Sequence, residues 1–239
     1  MTSSALVPAE PAAAGDGTPF STVYNDVYHT AHGGLAQARH VFLAGNDLPA
    51  RWMDADNFVI CETGFGLGLN FFATWQAWRD SGAKCRLHFV SVEKHPFRQD
   101  DLAGLLAPHS ELAPLANELL RQWPPLTPGL HRLHFDKDMI TLSLLLGDAQ
   151  DVLPGFPAEV DAVYLDGFAP SRNPELWSSA LLGTLTRLCK RQATLATWSV
   201  AGKVRRALEE SGWQLKRQPG FGGKREMLTG RLEDRLAQP

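Results

Sequence analysis

The feature that most constrains the fold is a glycine-rich loop between a short apolar run and a helical segment. Residues 57–62 read Asn-Phe-Val-Ile-Cys-Glu, the next six read Thr-Gly-Phe-Gly-Leu-Gly, and residues 69–78 have helical character. Glycines at alternate positions permit a tight turn and let backbone N–H groups approach a ligand closely. The order of strand, glycine turn and helix therefore predicts an α/β unit that holds a ligand at this loop.

The spacing of the glycines indicates which ligand. Gly64, Gly66 and Gly68 form a GxGxG pattern, whereas the dinucleotide fingerprint is GxGxxG. Methyltransferases carry an acid two residues before the first glycine, where it meets the methionine end of S-adenosylmethionine. Glu62 stands at this position. We therefore assign Glu62, the three glycines and Asn70, which follows the loop, to binding of S-adenosylmethionine.

The rest of the chain alternates between apolar runs and helical patterns. The predicted helical segments span residues 69–78, 99–121 with breaks at Pro108 and Pro114, 175–190 and 202–210. The predicted strands span 57–62, 87–93, 131–135, 140–146, 162–165, 194–198, 213–217 and 226–230. Such alternation predicts a mostly parallel sheet. The last two strands are too close in sequence for a crossover helix and must be antiparallel. The pattern predicts an α/β, Rossmann-like class I methyltransferase fold whose mostly parallel sheet ends in an antiparallel hairpin.

Four regions are predicted along the 239 residues. Residues 1–17 are rich in Ala, Pro, Gly and Ser and carry no basic signal region, so they are expected to form a disordered tail. Residues 18–56 form an N-terminal extension packed on the core, 57–232 form the methyltransferase domain, and 233–239 form a second tail. No run reaches the roughly 18–20 apolar residues of a transmembrane helix. We expect a cytoplasmic protein without a membrane partner.

Further charged residues follow the successive predicted strands. Glu93 ends the second strand, where a carboxylate can accept both ribose hydroxyls, and Lys94 follows it. Asp148 is placed where the exocyclic amine of adenine would lie, and Asp166 ends the next strand. The carboxyl ends of the strands are the edge where open α/β sheets bind ligands. These four residues are therefore added to the predicted cofactor site.

The charge is distributed unevenly, although the net charge is only −3. Residues 1–186 contain 11 Lys/Arg against 21 Asp/Glu, and residues 187–239 contain 12 against 5. A basic region points to a polyanionic partner or to an ordinary solvated helix face. The candidate basic residues for RNA are Lys203, Arg205, Arg206, Lys224 and Arg225. The eight histidines show no HExxH or comparable spacing, so no metal is predicted.

Three segments resemble one known family. They are Glu-Thr-Gly-Phe-Gly-Leu-Gly-Leu-Asn-Phe at 62–71, Leu-Asp-Gly-Phe-Ala-Pro-Ser-Arg-Asn-Pro-Glu-Leu-Trp at 165–177 and Pro-Gly-Phe-Gly-Gly-Lys-Arg-Glu-Met-Leu-Thr-Gly at 219–230. They are similar to the methyltransferase domain of the MnmC family of tRNA modification enzymes, and the resemblance runs from about residue 18 to residue 232. It implies either a stand-alone methyltransferase form without the flavin-dependent oxidase domain of the bifunctional members, or the N-terminal half of such a member.

The resemblance also implies a reaction. The family N-methylates the primary amine of 5-aminomethyl-2-thiouridine at the tRNA wobble position, giving 5-methylaminomethyl-2-thiouridine, and a separate flavin-dependent oxidase would supply the amine. Two alternatives remain open from the residues: a small-molecule or protein amine as the acceptor, and a non-catalytic RNA-binding module on the same scaffold.

Residue roles follow from the chemistry and the resemblance. Methyl transfer needs a neutral amine, and an ordinary Asp is a poor base for an alkylammonium. Asp166 is therefore expected chiefly to orient the amine. Phe168 and Pro170 are expected to form an apolar wall beside the uracil ring, with core packing as the alternative for Phe168. By resemblance, Tyr28 closes over the cofactor or the substrate.

Overall fold

A central eight-stranded sheet organises the protein, for which a computed structural model describes residues 5–233. The strands are β3 (Asn57–Thr63), β4 (Arg86–Glu93), β5 (Gly129–Phe135), β6 (Ile140–Leu146), β7 (Val160–Tyr164), β8 (Cys189–Thr197), β9 (Trp213–Pro219) and β10 (Glu226–Leu232). Their spatial order is β5-β6-β4-β3-β7-β8-β10-β9. The five adjacent strands β6, β4, β3, β7 and β8 run parallel to one another. The remaining strands, β5, β9 and β10, pair antiparallel with their neighbours. The predicted class I fold is confirmed.

Seven α-helices are present among the described residues. They are α1 (Gly34–Gln37), α2 (Leu69–Ser81), α3 (Gln99–Leu106), α4 (Ala113–Arg121), α5 (Ala149–Val152), α6 (Ser179–Leu188) and α7 (Gly202–Glu210). The prediction of a helix over 175–190 was wrong at both ends. Ser178 caps the first turn of α6 by accepting a hydrogen bond from the Leu181 N–H, and β8 already begins at Cys189. None of these helices is long and apolar enough to cross a membrane.

The order in which strands are added to the sheet reverses between β3 and β7. From β3 the chain passes through α2 to β4 on one side, whereas β7 pairs with the opposite edge of β3. In open α/β sheets, ligands bind in the crevice at such a switch point, beyond the carboxyl ends of the strands. The loops that follow β3, β4 and β7 meet at this crevice, so the topology places the candidate site there.

The N-terminal extension packs against the sheet through a buried polar group. It contains the short ribbon β1 (Phe20–Ser21) and β2 (Asp26–Val27), and α1 continues as a π-helix over Ala38–Leu43. Asn46 is completely buried, donates a hydrogen bond to the Phe42 carbonyl (2.9 Å) and accepts one from the Thr194 hydroxyl (2.6 Å). The amide therefore ties the extension to β8.

Residues 5–17 differ from the predicted disordered tail. The Ala9 N–H donates to the Pro96 carbonyl (3.2 Å), and Ala9 is only 5% exposed. The His95 ring also bonds to the Val7 carbonyl (2.9 Å). The tail prediction was wrong here because a small residue in an otherwise low-complexity run is buried against the chain beyond β4. Residues 1–4 and 234–239 lie outside the described residues.

Substitution of Asn46 by Ala should lower the free energy of unfolding by about 2–3 kcal/mol, because it leaves buried partners without their hydrogen bonds. Urea denaturation followed by circular dichroism measures the change. Asn57→Ala, at the exposed first residue of β3, is the matched control and should cost less than about 0.5 kcal/mol. Equal effects of the two substitutions would show that Asn46 does not anchor the extension.

Candidate active site

The glycine loop after β3 is held in a conformation that only glycine adopts readily. Gly64, Gly66 and Gly68 have φ angles of +87°, +52° and +76°. A Cβ at Gly66 would lie 3.3 Å from the Tyr28 ring, and one at Gly64 would lie 3.6 Å from the Gly167 Cα. The backbone of the loop therefore runs close beneath the extension and the loop after β7, where it closes one side of a cavity.

Glu93 fixes this loop from the neighbouring strand. One oxygen of its carboxylate accepts the Gly66 N–H (2.8 Å), and the other accepts the His95 N–H (2.7 Å). Each carboxylate oxygen can accept a second hydrogen bond, so acceptor capacity remains. Glu93 also lines the cavity. It can therefore hold the loop and receive hydroxyl groups of a ligand at the same time.

Lys94 and Asp148 form an ion pair across the mouth of the cavity. The Lys94 Nζ lies 2.7 Å from one Asp148 oxygen, and the other oxygen accepts the Gln150 N–H (3.0 Å) and caps α5. The hydrogen bond to Asp148 raises the pKa of Lys94. Burial pushes the pKa of Asp148 upward, but the bonds from Lys94 and Gln150 hold it below its usual value. Both groups are thus charged at neutral pH.

Asn70 connects two carboxylates at the base of the cavity. Its Nδ2 donates to Glu62 Oε1 (2.8 Å) and to Asp166 Oδ2 (2.8 Å). Glu62 is completely buried and also accepts from the Ser91 hydroxyl, and burial raises its pKa well above the usual value. Glu62 does not line the cavity, whereas Asn70, which donates to it, does.

Asp166 is fixed on three sides. Besides the bond from Asn70, its other oxygen accepts the Gly167 N–H (2.8 Å) and the indole N–H of Trp198 (3.0 Å). Burial raises the pKa of Asp166, and these hydrogen bonds oppose the rise. The carboxylate is therefore held in one orientation. An aspartate held in this way can position a ligand.

Two cavities meet at Asp166. The first cavity contains the glycine loop, Glu93 and Asp148, and the second lies on the other side of Asp166, towards Trp198 and Lys224. Asp166, Gly167 and Tyr28 line both. A cofactor in the first cavity and an acceptor in the second would thus face each other across Asp166.

Aromatic rings cover the first cavity. Phe168 stacks on Tyr24, with ring centroids 4.6 Å apart and planes at 23°, and meets the edge of Tyr28 at 5.1 Å. Phe168 is half-buried and lines the first cavity, so its ring belongs to the site and not only to the core. Pro170 lines neither cavity, whereas Ala169 lines the second. Of the two predicted wall residues, only Phe168 is at the site.

The predicted basic residues have three different environments. Lys203, Arg206 and Arg225 are exposed. Arg205 is half-buried and bonds to Glu209 one turn later on α7 (2.9 Å), which is the solvated-helix arrangement. The Lys224 residue is exposed, but its Nζ lies 3.2 Å from the centroid of the Trp198 ring and lines the second cavity. In the structure, the Lys224 ammonium thus lies against Trp198, and its contact with phosphates stays a prediction.

Three residues of the site were missed in the sequence. Tyr24 stacks on Phe168, Asp26 accepts the Ala169 N–H (2.8 Å), and Trp198 bonds to Asp166. Trp198 ends a predicted strand, so the rule that selected the acids at strand ends would also have selected it. Tyr24 and Asp26 carried no such signal. Within residues 5–233, no group of three or more His, Cys, Asp or Glu residues could hold a metal ion.

Comparison with known proteins identifies the family. Residues 110–233 match a family model described as S-adenosyl-L-methionine-dependent methyltransferase. The chain belongs to this family. The first cavity fits the cofactor, because Glu93 retains acceptor capacity and the glycine loop allows close approach of a ligand.

The relatives of the chain in this family confirm the resemblance to MnmC proteins. The chain is 58% identical over 228 residues to the tRNA 5-methylaminomethyl-2-thiouridine biosynthesis bifunctional protein MnmC of Aromatoleum aromaticum, a match that covers 95% of the chain and 36% of the relative. The corresponding protein of an Azoarcus species is 56% identical over 235 residues, covering 98% of the chain and 37% of the relative. The methyltransferase chain thus spans about a third of the length of these relatives.

Solved structures agree on the fold. The crystal structure of MNMC2 from Aquifex aeolicus superposes with a TM-score of 0.73 at 22% identity, covering 99% of the chain and 74% of that protein. A putative class I S-adenosylmethionine-dependent methyltransferase from Listeria monocytogenes gives a TM-score of 0.51 at 13% identity, covering 92% and 64%. At these identities, the likeness confirms the class I methyltransferase fold.

Proposed function

We propose that this methyltransferase N-methylates the primary amine of 5-aminomethyl-2-thiouridine at the tRNA wobble position, giving 5-methylaminomethyl-2-thiouridine. The observation that carries the proposal is the position of Asp166, a fixed carboxylate between a cofactor cavity and a second cavity. The names of the relatives support the identity of the product.

The first cavity would hold the cofactor. Glu93 accepts the ribose hydroxyls with its remaining lone pairs, and Asp148, paired with Lys94, faces the adenine amine. The backbone of the glycine loop and Asn70 lie beside the methionine end, and Glu62 fixes Asn70 from behind. When bound, S-adenosyl-L-methionine supplies an electrophilic methyl group carried by a sulfonium.

The second cavity would hold the acceptor. Asp166 accepts an N–H of the amine and directs its nitrogen towards the first cavity. Phe168 lines the first cavity, so it would contact the uracil ring only at the junction of the two cavities. Tyr28 lines both cavities and so closes over the two ligands where they meet. An alkylamine resembles Lys, with a pKa of about 10, so only about one molecule in a thousand is neutral at pH 7. The site must therefore also promote loss of a proton.

The tRNA would contact the exposed cations near the carboxyl ends of the strands. Lys203 and Arg206 lie on α7, which follows β8, and Arg225 lies in the loop between β9 and β10. These residues can neutralise phosphates of the anticodon stem-loop. A tRNA substrate would place the enzyme in the cytoplasm. A separate flavin-dependent oxidase would be needed to supply the amine if no oxidase domain is joined to this chain.

Salt dependence tests this surface. Combined substitution of Lys203, Arg206 and Arg225 by Ala should weaken tRNA binding and reduce the slope of log K against log[salt] by about 2–3, because three phosphate contacts are lost. Filter binding between about 50 and 200 mM salt measures both quantities. The control is the triple Ala variant of Lys84, Arg86 and Lys137, exposed cations at the opposite edge of the sheet. Equal slopes in the two variants would exclude the proposed surface.

The reaction itself is tested by the acceptor that receives the methyl group. Methyl-labelled cofactor should transfer label to tRNA from cells lacking this protein, and nucleoside mass analysis should show conversion of 5-aminomethyl-2-thiouridine to its N-methyl product. Label in metabolites or proteins, with none in tRNA, would support a different amine acceptor. Absence of cofactor binding by calorimetry would support a non-catalytic RNA-binding module.

A further inference from the structure

The indole of Trp198 joins a cation to the candidate active-site carboxylate. The ring N–H donates to Asp166 (3.0 Å), while the Lys224 Nζ lies over the ring, 3.2 Å from its centroid. An ammonium over an indole face is attracted by the electrons of the ring. Lys224 thus lies in the second cavity, on the side of Asp166 where the acceptor amine is expected.

The ammonium of Lys224 is held without a direct polar partner. No hydrogen bond or ion pair of its Nζ occurs within residues 5–233. Asp26 and Asp166 attract it, and the other titratable side chains that line the same cavity are Asp16, Tyr28, His29 and Glu226. Burial lowers the pKa of Lys224, although the two nearby carboxylates oppose this effect. The amine is therefore easier to deprotonate than a solvated lysine and is not committed to a fixed bond.

Asp166 is poorly suited to accept the proton in the proposed reaction. Asp166 is fixed by three hydrogen bonds, and a carboxylate beside the substrate stabilises the ammonium form instead of the reactive amine. A neutral lysine has nearly the same intrinsic basicity as the alkylamine acceptor, so proton transfer between them is close to balanced. We propose that Lys224 accepts the proton that the acceptor ammonium must lose before methyl transfer. This inference rests on the proposed function.

The step balances as follows. Neutral Lys224 takes one proton from the R–CH2–NH3⁺ group of the substrate and becomes an ammonium. The freed nitrogen lone pair forms the new N–C bond while the S–C bond breaks and its electron pair stays on sulfur. The product is the secondary ammonium R–CH2–NH2⁺–CH3. Because the Lys224 residue is exposed, its proton can then pass to solvent.

Two substitutions at Lys224 separate proton transfer from charge. Lys224→Met removes the base and should lower single-turnover methyl transfer at pH 7 by about a hundredfold. As the pH rises towards about 10, the pKa of an alkylamine, the neutral fraction of the acceptor grows about tenfold per pH unit without a base. The loss of rate in Lys224→Met should therefore shrink by about the same factor. Lys224→Arg keeps a positive charge but cannot accept a proton, so it should show the same loss and the same recovery.

The matched control is Lys216→Met, an exposed lysine on the edge strand β9, which should keep the wild-type pH profile. A loss at Lys224→Met that is equal at every pH would mean a binding role and overturn the proposal. Activity retained in Lys224→Arg would show that charge alone suffices and would also overturn it. If the wild-type enzyme methylates no tRNA, it is the proposed function that fails.

A second measurement does not depend on turnover. Acylation of lysines in the protein alone, followed by peptide mass spectrometry over a range of pH, reports the fraction of each amine that is neutral. The titration midpoint of Lys224 should lie below the ordinary value for lysine, because burial of its Nζ in the second cavity lowers its pKa. A midpoint at or above the ordinary value would show that Lys224 is no readier to accept a proton than a solvated lysine and would overturn its role as proton acceptor.

Discussion

Replacement of Asp166 by Ala is expected to lower the rate of methyl transfer by about a thousandfold, because the acceptor amine loses the group that orients it. The same carboxylate accepts hydrogen bonds from Asn70, Gly167 and Trp198, so its loss also releases the floor shared by the two cavities. Single-turnover assays with methyl-labelled cofactor and undermodified tRNA measure the rate of the chemical step without the contribution of product release.

The Asp166 prediction requires that binding and folding be measured separately. Asp166→Asn keeps the size of the side chain but turns an amide towards the amide of Asn70, and we expect a loss of about a hundredfold. Circular dichroism and cofactor titration check that both variants are folded and still bind the cofactor. Asp100→Ala, on the exposed face of α3, is the control and should leave the rate unchanged. A wild-type rate in Asp166→Ala would remove this residue from the mechanism.

The fold and the edge that carries the site could be predicted because their signals are local. The GxGxG loop lies between β3 and α2 as expected, and Glu93 ends its strand. Asp148 and Asp166 each follow the end of a strand after one intervening residue. Since parallel strands bring their carboxyl ends to one edge, a pattern read strand by strand was sufficient to place these three acids at that edge.

The depth and direction of side chains could not be predicted in this way. Whether Glu62 faces the ligand depends on Asn70, which bridges it to Asp166, 96 residues further along the chain. The position of Lys224 likewise depends on the ring of Trp198, on a different strand. Sequence spacing identifies both residues as polar and near a strand end, but it contains no information on which partner covers them. The sequence therefore groups Lys224 and Arg205 together by charge, although their contacts in the structure differ.

The extension shows the same limit at the level of whole segments. Composition alone predicted disorder for residues 5–17, yet a single buried Ala9 and backbone bonds to the chain after β4 order the segment. Tyr24 and Asp26 reach the site from a region with no place in the core fold pattern. The position of such a segment is set by tertiary contacts, which override local propensity.

Removal of the Glu93 carboxylate should have the largest effect on cofactor affinity. Glu93→Ala removes the acceptor for the Gly66 and His95 N–H groups and the proposed acceptor for the ribose hydroxyls. Hydrogen bonds to a charged group contribute about 1.5–3 kcal/mol, so the loss of two such bonds to a ligand corresponds to at least a hundredfold increase in Kd. Calorimetric titration with S-adenosyl-L-methionine and with S-adenosylhomocysteine measures the change.

The conservative variant separates anchoring of the loop from contact with the ligand. Glu93→Gln keeps one carbonyl oxygen, which can still accept the Gly66 N–H, but loses one acceptor and the charge, so we expect an increase in Kd of about tenfold. Glu159→Ala, an exposed acid just before β7 at the opposite edge of the sheet, is the control. The proposed contact of Glu93 is with the ribose, which both ligands contain, and not with the sulfonium, which only S-adenosyl-L-methionine contains. The Kd values of the two ligands should therefore rise by the same factor. A weakening confined to the sulfonium ligand would mean that Glu93 acts through its charge on the methionine end, and the ribose assignment would have to be abandoned.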